Sequence, residues 1–225
     1  MPATWSRRSI RRMAAFVMLT WMVSAPSYAF GPPVAAVGAV DRLATTNTPP
    51  VIRGDPGEER AVYGDKFDHK ESKRVAGAVK EVVRRAEELW PELVAHLGDD
   101  RHCLTVGSDA GYPRNWSVGD VCQDILGTTL SAPYYRHMMP ATKETFHRFH
   151  IPAIAKDKAE LRKWCLARKD RKLFELQIEQ CEWAITEIDA SDGNRNGKLQ
   201  LTAAIEKEVE SLKKSRTAIP CVTSF

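Results

Sequence analysis

No Cys-x-x-Cys pair occurs in this chain, which excludes a thioredoxin-type redox centre and c-type haem attachment. No His-Glu-x-x-His, Gly-x-Ser-x-Gly or glycine-rich phosphate loop is present either. Zincin peptidases, nucleophile-elbow hydrolases and P-loop nucleotide hydrolases are thereby set aside. The cysteine spacing forms no zinc ribbon. The longest apolar run, Met13 to Ala25, is too short to span a bilayer.

An excess of positive charge is also lacking, once the chain is divided. The formal net charge is +4, but Arg7, Arg8, Arg11 and Arg12 lie in residues 1–29 with no lysine or acid beside them. The remaining residues are balanced in charge, so nucleic-acid binding through bulk basicity is not expected.

Those first residues read as a secretory signal peptide: basic, then apolar, then Ser27-Tyr28-Ala29 with cleavage expected after Ala29. Ser6-Arg7-Arg8-Ser9-Ile10 also resembles a twin-arginine export signal. A periplasmic or secreted mature chain of one domain is expected, not spanning the membrane. Residues 30–70, punctuated by Pro32, Pro33, Pro49, Pro50 and Pro56, read as a flexible linker. Residues 71–225 form the domain.

The fold expected there is mainly α. Val75, Val79, Val82, Val83, Ala86, Leu89, Leu93, Val94 and Leu97 stripe one long helix from Glu71 to Leu97. Pro91 should kink or split it near Trp90, and Gly98 should cap it. Residues 99–130 are broken by Gly107, Gly111, Pro113, Gly119 and Gly127. They read as a loop-rich segment with short strands at Leu104–Val106 and Val118–Val121. A helical hairpin runs from Lys156 to Ser215 around the polar loop at residues 192–197. Its stripes are Phe174, Ile178, Cys181, Ile185, Ile188 and then Leu201, Ile205, Val209, Leu212.

Export favours disulfides, and five cysteines leave one over. Cys103–Cys122 is expected to staple the loop-rich segment. A continuous helix from 156 to 188 would separate Cys165 from Cys181 by roughly 24 Å at the helical rise. Bridged Cα atoms lie within about 7 Å, so Cys165 is matched to Cys221 across the hairpin and Cys181 stays free. A break at 167–172 would bring Cys165 near Cys181 instead.

Three groups of residues carry candidate chemistry. Asp192, Asn194, Asn196, Gly197 and Leu199 occupy positions 1, 3, 5, 6 and 8 of a loop between two helices. This segment resembles a degenerate EF-hand calcium loop. The resemblance implies that Asp192, Asn194, Asn196, the Lys198 carbonyl and Gln200 would ligate Ca2+. Ala203 stands at position 12, where a bidentate Glu belongs, so binding would be weak. The second group is His137, Met138, His147 and His150, with thioether and imidazole ligands suited to copper(I). The third is a charge boundary: residues 156–172 hold eight basic and three acidic residues, and 175–192 hold six acidic and none basic. It is either a solvated face or a docking patch for an anionic partner such as a cell-wall polymer or lipid headgroup.

The expected function is that of an exported, non-catalytic binding or accessory protein of the cell envelope, its partner an envelope protein or cell-wall polymer. Weak calcium binding through the Asp192 loop is the alternative. A cell-wall-acting hydrolase with a nonstandard site is the third reading. Its mark would be an empty cleft lined by titratable groups between Asp99 and His150.

Overall fold

The computed structural model describes residues 38–55, 58–108, 111–141, 152–192 and 194–220. Among the described residues are six α-helices and two antiparallel two-stranded sheets, as a mainly helical chain requires.

The segment expected as a linker is stitched to the domain from Gly38 onward. A 3-10 turn at Asp41–Leu43 presents Val40 and Leu43 to the core, both fully buried. The Val40 N–H donates to Glu92 Oε1 at 2.7 Å. The Arg74 guanidinium donates to the carbonyls of Arg42 and Ala44 at 2.8 and 2.9 Å. Strands β1 (Val51–Arg53) and β2 (Arg60–Val62) then pair antiparallel. Two apolar anchors and a few backbone bonds outweigh the proline-rich composition of this segment.

Helix α1 (His69–Arg84) starts where Asp68 accepts the Lys70 N–H at 2.7 Å, an N-cap. Val75, Val79 and Val82 face the core. The expected long helix is split: the chain leaves helical geometry at 85–89 and restarts as α2 (Trp90–Ala95). Pro91 sits in the first turn of α2, where its missing N–H has no partner to lose. A 3-10 turn, His96–Gly98, closes this part.

The segment from Asp99 to Leu130 differs from its expectation. Strand β3 (His102–Ser108) contains the expected 104–106 strand and pairs with β4 (Gly111–Ser117). Val118–Val121, expected as a strand, opens α3, which runs Val118–Ala141. A reciprocal capping box decides this. Asp120 Oδ2 accepts the Ser117 N–H at 2.8 Å, and Ser117 Oγ accepts the Asp120 N–H at 3.1 Å. Gly119 is tolerated in this first turn for a steric reason. A Cβ there would stand 2.5 Å from the Leu97 carbonyl oxygen.

The disulfide staple is not formed. Cys103, Cys122, Cys165 and Cys181 are free, buried thiols, and Cys221 lies outside the described residues. Hairpin pairing and core burial order the segment instead: Cys103 and Cys122 belong to one apolar cluster with Leu97, Val118 and Val121.

Helix α3 joins two cores. Its first half contributes Val121, Ile125, Leu126 and Leu130 to the cluster shared with α1, α2 and α4. Tyr134, one turn further on, enters a second cluster with Cys181, Ala184 and Ile188 of α5 and Leu201, Ile205 and Val209 of α6. Burying each such Leu, Ile or Val contributes about 1.5–3 kcal/mol.

The expected hairpin is present in α5 (Leu173–Ala190) and α6 (Arg195–Ser215). Its first arm is not continuous back to Lys156. A 3-10 turn (Ala153–Lys156), α4 (Lys158–Leu166) and a non-helical stretch at 167–172 precede α5. Arg168 fixes this break: it lies over the Trp164 ring at 4.5 Å and pairs with Glu179 at 2.7 Å. Although the break lies at the predicted alternative position, Cys165 and Cys181 remain unbridged and belong to different core clusters.

Candidate functional site

An open cleft of about 300 Å³ lies between β4, the first half of α3 and the turn at residues 155–156. Arg114, Trp116, Asp120, Gln123, Asp124, Thr128 and Lys156 line it. The local sequence explains the placement. The Ser117–Asp120 box sets the phase of α3, so Asp120, Gln123, Asp124 and Thr128 share one helix face at steps of three and four. The β-hairpin carries Arg114 and Trp116 to the same edge. Gln123 Nε2 donates to the Ala155 carbonyl at 2.9 Å, tying the far wall to the helix.

The two carboxylates differ. Burial acts to raise Asp120, but bonds from Lys158 (2.7 Å) and Ser117 outweigh it and hold Asp120 below its usual value. Asp124 is half-buried and has no hydrogen bond or ion pair from its carboxylate among the described residues. Burial alone pushes it up to about 6. Near neutral pH the cleft therefore offers one fixed carboxylate and one carboxyl close to its titration point. Trp116 provides an aromatic face, and Arg114 and Lys156 provide cations.

The residues singled out from sequence lie elsewhere. Asn194 Oδ1 accepts the Asn196 N–H at 2.8 Å and caps α6. Asn196, Lys198 and Gln200 consequently lie in the first turns of α6. Lys198 Nζ donates to the carbonyls of Asp189, at 3.0 Å, and Ser191. Leu199, whose counterpart in a calcium loop is aliphatic, is 60% exposed. Asp192 is exposed at the end of α5. The structure gathers no group of three or more His, Cys, Asp or Glu side chains into a metal-binding cluster among the described residues. Of the copper candidates, His137 Nε2 lies 3.0 Å from Glu208 Oε1 and links α3 to α6. Met138 lies in α3, and His147 and His150 fall outside the described residues.

Sequence reading missed Trp116, Asp120 and Asp124 as a group. The available signal was Ser117-x-x-Asp120, a helix start concealed by the glycines around it. No protein-family model, curated protein or solved structure matches the chain.

Proposed function

We propose that this chain is an exported accessory protein of the cell envelope that binds a saccharide segment of cell-wall polymer in the Trp116–Asp124 cleft. Export rests on the basic, apolar and small-residue order of residues 1–29. The observation that carries the binding reading is Asp124: a half-buried carboxyl without a partner among the described residues, in an open cleft beside Trp116. A partly desolvated polar group is costly to leave unmatched, and a ligand hydroxyl would satisfy it. An indole face with hydrogen-bonding groups around it suits a sugar ring, which is apolar on its faces and polar at its rim. Co-sedimentation with purified cell-wall sacculi tests this. The native chain should pellet with them, and Trp116→Ala should remain in the supernatant while still unfolding cooperatively, at a lower melting temperature because the indole also packs on the core. Equal pelleting of both would overturn the reading.

The contrast between Asp120 and Asp124 favours a second reading, hydrolysis. A carboxyl raised to about 6 by burial beside one held below its usual value is the pattern of an acid–base pair. Release of new reducing ends from the wall substrate, abolished in Asp124→Asn and Asp120→Asn, would select catalysis over binding.

A further inference from the structure

A second cleft, sharing no residue with the first, lies between the start of α5 and the end of α6. It measures about 470 Å³ and is lined by Arg171, Lys172, Phe174, Glu175, Ile178, Lys213 and Arg216. We propose that it binds a phosphate-bearing amphiphile, with the phosphate held by Lys172, Lys213 and Arg216 and the apolar part laid on Phe174 and Ile178.

Charge is the first argument. Four cations line the cleft against one carboxylate. Arg171 is committed to Glu179 and to the Glu175 carbonyl, the latter at 3.0 Å. Glu175 Oε2 is committed to the Lys172 N–H at 2.9 Å. Lys213 has only a loose, solvent-exposed pair with Glu210 at 3.6 Å. Lys172 and Arg216 make no ion pair among the described residues. The surplus of positive charge suits a doubly charged phosphate better than a carboxylate.

The second argument is that local preferences are broken at this cleft. Lys172 is the N-cap residue of α5, a position that favours Ser, Thr, Asp or Asn and disfavours cations. Arg216 is the C-cap of α6 with φ 54° and ψ 28°, the one non-glycine residue with positive φ among the described residues. Glycine would occupy that conformation without strain. Both positions carry a cation where the backbone prefers something else, and both cations line the same cleft. Departures of this kind concentrate where a side chain serves a ligand. The half-buried Phe174 and Ile178 lining the same cleft supply the apolar surface that a bare phosphate would not use.

Calorimetric titration of the full-length chain with decyl phosphate, below its micellar concentration, tests the proposal. One saturable site is expected, binding at least about tenfold more tightly than inorganic phosphate or neutral decyl glucoside. Arg216→Gly should weaken decyl phosphate at least about tenfold while leaving the melting temperature equal or higher, since it relieves the left-handed strain. Lys172→Gln should weaken it in the same direction. Three results would overturn the proposal: no saturable binding, equal affinity for inorganic and decyl phosphate, or native affinity in Arg216→Gly.

Discussion

Gln177 Nε2 donates to the Thr129 carbonyl at 2.9 Å, and Thr129 is the residue whose helical partner would be Pro133. Proline has no N–H to give, so this carbonyl would otherwise be an orphan at the centre of α3. The same glutamine donates to the Ile219 carbonyl at 2.7 Å and accepts the Ile219 N–H at 2.9 Å. One buried amide thus repairs a proline-interrupted helix and anchors the chain after α6. Gln177→Leu should cost about 1–3 kcal/mol by leaving buried backbone groups unpaired. Urea unfolding of this variant, of Pro133→Ala and of the double variant would measure it. The Gln177→Leu cost should shrink when Pro133→Ala restores the helical N–H, and full additivity would contradict the repair.

Asp124 makes a prediction about pH. Its folded value of about 6 lies above the ordinary carboxylate value expected in the unfolded chain. Between pH 4 and 6 the native state therefore holds more proton than the unfolded state. Stability contributed by this group is complete below pH 4 and is lost as pH rises through 6. The loss is of order 1–3 kcal/mol. Asp124→Asn should remove that slope and be more stable than the native chain at pH 7. Glu71, held down to about 2 chiefly by its bond from Arg74, works in the opposite sense, its contribution being lost as pH falls below 4. Denaturant midpoints across pH 3 to 8 separate the two groups.

The four described cysteines should be inert in the folded state. Burial pushes Cys103, Cys122, Cys165 and Cys181 up to about 12, so little thiolate exists at pH 8. Alkylation of the native chain should leave all four unlabelled, and alkylation in denaturant without reductant should label all four. A Cys103–Cys122 peptide in the unreduced digest would show that the two thiols become oxidised.

At the Asp192 loop, Lys198 Nζ holds the carbonyls of Asp189 and Ser191, just before Asp192 in the chain. Calcium affinity there is expected to be no tighter than about 10⁻⁴ M, with one carboxylate at a ligand position. Melting temperature with and without millimolar calcium reads this, and a large shift abolished by Asp192→Ala would contradict it.

The amphipathic hairpin was legible in the sequence because its apolar steps are local, and Ile188, Leu201, Ile205 and Val209 are buried as their spacing implies. The split of the first long helix was also legible, from Pro91, although the break falls at 85–89 and Pro91 opens the helix that follows. Helix α3 was not: Gly119 and Gly127 read as breakers, whereas Gly119 answers to a close approach by the Leu97 carbonyl, a long-range contact. The break before α5 depends on Arg168 reaching Glu179, again across elements. The Trp116–Asp124 cleft was hidden with α3, since its residues share a face only once that segment is helical.

The cleft is the centre of the functional account, and the Trp116 indole N–H is its most direct reporter. Two-dimensional NMR of the isotopically labelled chain, titrated with a soluble cell-wall disaccharide-peptide, tests the account. The Trp116 indole and Gln123 amide resonances should shift saturably together, and the Gln123 shift should vanish in Trp116→Ala. Shifts confined to other residues, or no shift at saturating ligand, would contradict the cleft as the binding site.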